Sequence, residues 1–195
     1  FKLVRESLKE REVITNIAPT ITRPLPFIIP YTKKLRSKLL IRLGLFLYDN
    51  LGGKSNIPKS SKINLHKKYS KILNQKFSFG FQYYDVQVDD KKLVEMNIHD
   101  AKKLGATIIE DRRVINASRI DDGWKIILDN NEIIKSKILI NAAGPWINEV
   151  VSNVIKINAN KSIRLVRGSH IIINKLYEEE VAFTLQNEDN RIIFV

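Results

Sequence analysis

Hydrophobic positions recur with a helical period at the start of the chain and again after residue 33. The first run, residues 1–17, spaces Leu3, Leu8 and Ile14 among charged neighbours and predicts an amphipathic helix. Four prolines follow in "APTITRPLPFIIPYTKK", which predicts an extended segment that cannot be a central strand throughout. A second helix is predicted over 34–51, ended by Gly52 and Gly53.

The middle of the chain alternates between polar and β-rich stretches. Residues 54–76 are lysine-rich with turn signals, which predicts a surface loop containing at most a short helix and the least structured part of the chain. "FSFGFQYYDVQVDD" predicts a strand or hairpin, and its final Asp89 or Asp90 would cap a helix over 91–104. Gly105 would end that helix.

Short β-rich runs make up the second half of the chain. "ATIIE", "RRVINASRID", "GWKIILD" and "EIIKSKILINAAG", separated by Asp-Asp-Gly and Asp-Asn-Asn turns, predict a meander returning to an apolar strand at Ile138–Ile140. "SIRLVRGSHIIINKL" and "VAFTLQNEDNRIIFV" predict a last β region, with a charged turn between two strands.

Composition narrows the picture. The 195 residues are 44% hydrophobic, enough for a globular core, and because they begin at Phe1 and stop inside "RIIFV" we expect an excerpt of a longer protein. The net charge of +12 favours an anionic ligand, an anionic membrane or nucleic acid. The lack of cysteine excludes disulfides and thiolate chemistry in this stretch.

The stretch "NAAGPW" is the candidate site. Asn141, Ala142, Ala143 and Gly144 would end a strand, and Pro145 would open a helix at its first position. Small side chains beside a positive helix end suit a bulky anionic cofactor. The same spacing is equally compatible with small residues that only allow close packing of strand and helix.

A resemblance separates these alternatives. "NAAGPW", with "RLVRGSHIII", "LQNEDNRIIFV", "FSFGFQYYDVQVDDKKLV" and "IRLGLFLYDNLGGK", is similar in order to the FAD-dependent, quinone-linked glycerol-3-phosphate dehydrogenases of the D-amino-acid-oxidase-like flavoprotein superfamily. It implies an α/β fold of mixed α+β character: the central part of a Rossmann-like FAD-binding domain with a mainly antiparallel substrate-domain sheet. The implied division is 1–76 and 91–161 in the FAD-binding domain, with 77–90 and 162–195 in the substrate domain.

The resemblance also implies roles for individual residues. FAD would touch Ala142, Ala143 and Gly144, with Trp146 close by, and its adenine end would meet the backbone at Arg113 and Val114. His170 would contact substrate or flavin and take the hydroxyl proton or donate a hydrogen bond. Arg167 would supply positive charge for the phosphate or the flavin, or else face solvent. The GxGxxG phosphate-binding motif is absent, so we expect the chain by itself to bind FAD weakly or not at all.

The implied partners are glycerol 3-phosphate, membrane quinone and the inner face of the cell membrane, with the enzyme peripheral, cytoplasmic and possibly homodimeric. The basic, apolar stretch 31–53 either lies in a membrane interface or packs on the core. We expect no nucleic-acid partner and no metal site, since His66 and His99 lack a ligand pattern. Alternatives are an FAD-dependent amine or amino-acid oxidase and a basic nucleic-acid or lipid-binding module.

Overall fold

A computed structural model describes residues 2–33, 36–53, 55–158, 163–189 and 191–195. The chain forms two compact units, one of Phe1–Ala101 with Asn174–Val195 and the other of Lys102–Ile173. The predicted mixed α/β class is confirmed. The assignment of segments to an FAD-binding and a substrate domain stays a prediction.

The helices and strands follow one another along the chain with these bounds: α1 Lys2–Ile17, β1 Thr22–Pro30, α2 Lys38–Leu51, β2 Ser61–Asn64, α3 Leu65–Tyr69, β3 Phe79–Val88, α4 Asp90–Lys103, β4 Val114–Ile120, β5 Gly123–Leu128, β6 Ile133–Ser136, a 3₁₀ turn Gly144–Trp146, α5 Ile147–Glu149, a π-helical turn Val150–Ile155, β7 Ala182–Gln186 and β8 Ile192–Phe194. We call residues 144–155 the helical segment.

The first unit contains a five-stranded sheet in the order β2-β3-β1-β7-β8. Its pairs are antiparallel except β1 with β7, which is parallel. The predicted mainly antiparallel sheet that includes 77–88 and the end of the chain is therefore confirmed. "FSFGFQYYDVQVDD" forms one long strand and not a hairpin.

Strand β1 shows how a proline-rich strand reaches the middle of a sheet. It pairs with β3 along its whole length, and the Tyr31 N–H that follows it donates to the Phe79 carbonyl at 3.1 Å. Odd-numbered residues therefore turn their N–H groups toward β3, and Pro24, Pro26 and Pro30 face the other side. On that side β7 pairs only with Phe27 and Ile28. The strand is thus central but not throughout, as predicted.

Successive residues of β1 bury into opposite faces of the sheet. Ile28 joins a cluster with Leu65, Tyr69, Val181 and Phe183. Its neighbour Ile29 joins a second cluster with Leu45 of α2 and Phe81. The sheet is therefore covered by α3 on one face and by α2 on the other.

Residues 61–69 correct the prediction of a surface loop. They form β2 and α3, so the short helix allowed there is confirmed, but Leu65 and Tyr69 are buried in the core and not at the surface. Asn64 caps α3 by accepting a hydrogen bond from the Lys67 N–H at 3.1 Å. The prediction that this is the least structured part of the chain was wrong, because two apolar side chains one helical turn apart are enough to anchor so short a helix.

The predicted helices are confirmed, with revised starting points. Ser37 caps α2 by accepting from the Leu40 N–H at 3.2 Å, so the helix begins at Lys38. Residues 34 and 35 of the predicted helix lie outside the described residues. Asp89 caps α4 by accepting from the Lys92 N–H at 3.0 Å, and Gly105, with φ of 92°, follows that helix.

The second unit contains the predicted meander, an antiparallel sheet in the order β4-β5-β6. Gly123 and Asn131 adopt positive φ angles of 137° and 64° beside its two turns. Ala117, Ile126 and Leu128 form its buried core. "ATIIE", predicted as a strand, has no regular secondary structure.

Two further predicted strands are wrong. Ile138–Ile140 is not a strand, and Ile138 and Ile140 are 75% and 80% exposed. Residues 163–176 have no regular secondary structure either, and Ser162 lies outside the described residues. A strand is held by hydrogen bonds to a neighbour, and within the described ranges no segment pairs with either run.

Candidate functional site

Residues 138–155 pack against the β4-β5-β6 sheet near both ends of the run. Leu139, Val154 and Ile155 pack against the buried core of the second unit. Ile138 and Ile140, on either side of Leu139, point outward. This alternation is that of an extended chain, and it carries the "NAAGPW" turn to the surface of the unit.

The side chain of Asn141 shapes that turn. Its amide donates to the Ile147 carbonyl at 3.1 Å, and its carbonyl oxygen accepts from the Ala143 N–H at 3.2 Å. The Trp146 N–H closes the first helical turn by donating to the Ala143 carbonyl at 3.1 Å. These contacts fix the backbone of the small residues before the helical segment begins.

Gly144 stands where this backbone needs a left-handed conformation. Its φ is 55°, a value that side-chain-bearing residues rarely adopt, and an added Cβ would meet no atom within 4 Å. Ala142 is exposed and Ala143 half-buried. The predicted helix after Pro145 is confirmed, in 3₁₀, α and π form. The turn therefore presents small side chains to open space.

Arg113 and Val114 lie in the same unit, at the start of β4. The Arg113 guanidinium donates to the Glu149 carboxylate at 3.0 Å, which ties the start of β4 to the helical segment. The Arg113 carbonyl accepts from the Asp129 N–H at 2.9 Å, and Val114 packs against the buried core. The structure thus brings the Arg113 side chain to the helical segment that follows the small-residue turn.

Trp146 lies at the start of the helical segment and is 64% exposed. Its indole ring is a large apolar surface that stays exposed to solvent in the described part of the unit. Such a ring beside a small-residue turn offers a stacking face for a planar ligand.

Arg167 and His170 lie in the irregular run 163–177 and are exposed. Neither makes a hydrogen bond or an ion pair with any other described residue. The structure therefore leaves their predicted contact with substrate untested. It does not bring them to the small-residue turn through any observed contact.

Asn141 is the site residue whose role sequence reasoning missed. Its position before two alanines and a glycine was noted, but no role was assigned to the side chain. The available signal was its type, since asparagine side chains often hydrogen-bond to the backbone two residues further on. Here that bond goes to Ala143.

An ionic and aromatic cluster in the first unit was also missed. Arg11 of α1 donates to the Tyr48 hydroxyl of α2 at 2.8 Å and lies 3.5 Å from the Asp85 carboxylate of β3. Burial, followed by the Asp85 charge, raises the pKa of Tyr48 well above its usual value. The hydroxyl therefore stays protonated, and the cluster links α1 and α2 to the sheet.

The remaining sequence candidates have structural roles. The His66 ring nitrogen lies 2.7 Å from the Gln75 carbonyl oxygen. Residues 2–33, 36–53, 55–158, 163–189 and 191–195 contain no group of three or more side chains able to hold a metal ion. Asp89 acts as the predicted helix cap, and the hydrogen bond from the Lys92 backbone lowers the pKa of its carboxyl.

Comparison with known proteins identifies the class to which the chain belongs. A model of the FAD dependent oxidoreductase family matches residues 1–195. The chain belongs to this family of FAD-dependent oxidoreductases.

Individual relatives refine that class. The chain is 42% identical over 198 residues to a glycerol-3-phosphate dehydrogenase of Pseudomonas aeruginosa, covering 100% of this chain and 38% of the relative. It is 40% identical over 202 residues to D-erythritol 1-phosphate dehydrogenase of Brucella abortus, covering 100% and 40%. It is 34% identical over 200 residues to the aerobic glycerol-3-phosphate dehydrogenase of Escherichia coli, again covering 100% and 40%.

These relatives confirm the predicted resemblance, and the chain spans about two fifths of their length. Among solved structures, the glycerol-3-phosphate dehydrogenase from Bacillus halodurans complexed with FAD matches with a TM-score of 0.50 and 19% identity. That match covers 73% of this chain and 25% of the other, and it supports the fold.

The residues of the turn fit a flavin cofactor. Space is open around Gly144, the neighbouring side chains are methyl groups, and an exposed indole lies beside them. Ile138 and Ile140 add an exposed apolar surface before the turn. FAD, predicted from the sequence, is the cofactor on which this family depends.

Proposed function

We propose that the chain is the central part of an FAD-dependent dehydrogenase that oxidises sn-glycerol 3-phosphate to dihydroxyacetone phosphate and passes the electrons to membrane quinone. The observation that carries this proposal is the 42% identity with a glycerol-3-phosphate dehydrogenase along the whole chain. The open turn at Gly144 supports it because it offers the cofactor a place.

In this proposal Ala142, Ala143, Gly144 and Trp146 hold FAD, together with the backbone at Arg113 and Val114. The small side chains allow close approach, and the Trp146 ring excludes water from one side. FAD supplies, when bound, the acceptor for the hydride that leaves C2 of the alcohol. The Arg113 contact with Glu149 links the start of β4 to the helical segment that follows this turn.

His170 takes the hydroxyl proton as the hydride leaves, because an imidazole nitrogen can accept a proton and hold it. Arg167 lies three positions earlier and supplies a guanidinium for the substrate phosphate. Both side chains are exposed, so they are accessible to a charged substrate.

A second substrate has specific support. The 40% identity with D-erythritol 1-phosphate dehydrogenase nearly equals the identity with the glycerol-3-phosphate enzyme. Both names describe phosphate monoesters of small polyols. The three relatives described above act by name on polyol phosphates, so we do not propose the amine or amino-acid alternative.

Flavin reduction tests the function. The intact polypeptide that contains this chain is loaded with FAD and mixed anaerobically with glycerol 3-phosphate, D-erythritol 1-phosphate, sarcosine or a D-amino acid. Rapid bleaching by glycerol 3-phosphate, with a higher kcat/KM than for the erythritol ester, is the expected result. Faster reduction by the erythritol ester would transfer the proposal to that substrate, and reduction only by an amine would refute it.

Helix α2 supports contact with a membrane surface. Ile41, Leu45 and Tyr48 face the core, whereas Leu43 and Phe46, on the opposite side of the helix, are 54% and 59% exposed. The sequence left membrane contact and core packing open; the helix uses one apolar face for the core and leaves a second exposed. We call Leu39, Leu43 and Phe46 the outer face of α2.

Basic residues lie at the N-terminal end of α2. Arg36 and Lys38 are exposed at its start, and Arg42 follows one turn later. An apolar face with flanking cations suits the headgroup region of an anionic bilayer. No helix in the described ranges is long and apolar enough to span a membrane.

Vesicle binding tests this part of the proposal. Phe46→Ser should weaken sedimentation of the intact protein with vesicles of anionic phospholipid, whereas Leu104→Ser, which removes another exposed apolar side chain, should not. Equal vesicle binding by the wild type and both variants would refute membrane contact through α2, and it would leave the proposed dehydrogenase reaction standing. Homodimerisation and a cytoplasmic location stay predictions.

A further inference from the structure

The side chain of Asn141 bridges the two ends of the small-residue turn. Its carbonyl oxygen accepts from the Ala143 N–H at 3.2 Å, and its amide donates to the Ile147 carbonyl at 3.1 Å. The Ile147 carbonyl also accepts from the Val150 N–H within the helical segment. One side chain thus links the backbone just before Gly144 to the helical backbone just after Trp146.

This bridge needs both ends of a carboxamide. Ala143 presents a donor and Ile147 presents an acceptor, so the bridging side chain must accept at one end and donate at the other. An ionised aspartate can only accept. A serine hydroxyl can bond to the N–H two residues further on, but it is a single polar atom on a shorter side chain. The turn therefore has a chemical reason to use asparagine.

Little besides this bridge and the backbone bonds of the turn holds its conformation. Ala142, Gly144 and Trp146 are exposed, so they contribute little packing. Within the described ranges, no other side chain hydrogen-bonds to residues 142–147. Gly144, with a φ of 55°, has no Cβ to restrict it and populates many conformations when it is not held. The conformation at Gly144 therefore depends on Asn141.

We propose that Asn141 is a positioning residue for FAD. By bonding to Ala143 and Ile147 it holds residues 142–146 in the conformation that presents small side chains and open space to the cofactor. Asn141 is half-buried and acts through the turn, without touching the flavin itself. The inference rests on the proposed function, because it requires FAD to bind at this turn.

A positioning residue changes affinity through the fraction of molecules whose turn already has the binding conformation. When that fraction falls, the apparent dissociation constant rises by the same factor. The net contribution of one hydrogen bond corresponds to about a 2- to 12-fold change in such an equilibrium. The loss of both Asn141 bonds corresponds to about a 5- to 150-fold change.

The experiment measures FAD binding by the intact polypeptide that contains this chain. The protein is stripped of cofactor and titrated with FAD under native conditions, and urea unfolding of the cofactor-free protein is measured in parallel. Asn141→Ala removes both bonds, whereas Asn141→Ser keeps a hydroxyl that can accept from the Ala143 N–H. The control is Asn153→Ala, since Asn153 is an exposed asparagine of the same helical segment whose side chain makes no hydrogen bond with another described residue.

FAD should bind about 5- to 150-fold more weakly to Asn141→Ala and about 2- to 12-fold more weakly to Asn141→Ser. Asn153→Ala should bind FAD as the wild type does. The dissociation constant is measured on folded molecules, and the urea curves show that each variant is folded during the titration. An asparagine that only stabilised the fold would lower the urea midpoint and leave the affinity for FAD unchanged.

Unchanged FAD affinity in both Asn141 variants, or an equal loss in Asn153→Ala, would overturn the inference. If Asn141→Ala does not fold, the affinity of Asn141→Ser relative to Asn153→Ala decides the question. The wild type separates this inference from the proposed function. A wild-type protein that binds no FAD would refute both, whereas FAD binding that does not depend on Asn141 would refute only the positioning role.

Discussion

Replacing Gly144 with alanine separates the local backbone requirement from the proposed cofactor contact. Gly144 has a φ of 55°, and an added Cβ would meet no protein atom within 4 Å. The substitution therefore creates no clash inside the described part of the chain. Its effect on the protein without cofactor comes from the left-handed conformation alone, and any clash must come from what binds at the turn.

The two effects differ in size. A side-chain-bearing residue in the left-handed region costs about 1–2 kcal/mol, and the less flexible unfolded chain of the alanine variant offsets about 0.4–1 kcal/mol of that. The net loss in free energy of unfolding is thus about 1 kcal/mol. A methyl group forced into a close contact costs a further ~1–3 kcal/mol, which weakens FAD binding about 5- to 150-fold.

The assay compares Gly144→Ala with Gly105→Ala in the intact protein. Gly105 also has a positive φ, 92°, and open space around its added Cβ, but it follows α4 and is not proposed to touch FAD. Urea unfolding of the protein without cofactor should show similar losses for both variants, whereas fluorescence titration with FAD should show weaker binding only for Gly144→Ala. Unchanged FAD affinity in Gly144→Ala, or equal weakening in both, would refute a cofactor contact at this turn.

Three further changes test other parts of the molecule. His170→Ala should slow flavin reduction in stopped flow by about 10²- to 10⁴-fold with normal FAD content, and an unchanged rate would exclude it as the base. Asp89→Asn should keep the α4 cap but lose the pH dependence that the lowered pKa of Asp89 produces. A carboxyl whose pKa is lower in the folded state stabilises the fold at pH values above its pKa in the unfolded chain. Wild type and variant should therefore differ in urea midpoint at pH 7, and the difference should disappear as the pH falls through the folded-state pKa. A difference that stays constant with pH would contradict this. Phe183→Ala should cost about 3–5 kcal/mol in urea unfolding, since this ring is 2% exposed in the core, and a loss below about 1 kcal/mol would show that the site collapses around it.

The sequence predicted most of the helices and turns that are stabilised by residues close together in the chain. The helices α1, α2 and α4 and the β4-β5-β6 meander follow from apolar periodicity, capping residues and turn residues that act over a few positions. The cap by Asp89 is an example, because its hydrogen bond reaches only to Lys92. The motif "NAAGPW" likewise indicated a turn of small residues before a helix, and the structure contains one.

Long-range pairing decided what the sequence left open. Whether β1 could be central depended on which side its prolines faced, and only the register with β3 and the short pairing with β7 showed that. Leu65 and Tyr69 lie in a lysine-rich stretch, and their burial depends on Ile28 and Phe183, which are distant in sequence. Local polarity could not reveal this, because a few apolar side chains suffice to anchor a segment whose other residues stay solvated.

The same physical reason explains why two predicted strands are absent from the described residues. Ile138–Ile140 and 163–176 are as apolar as the strands that formed, but β-structure requires a hydrogen-bonding neighbour and these runs have none among the described residues. Sequence alone therefore determined the family, the flavin and the residue types of the turn. Only the tertiary structure revealed that Asn141 shapes the turn, that Arg113 bonds to Glu149 and that Gly144 faces open space. Each of these depends on distances between atoms that periodicity and composition do not encode.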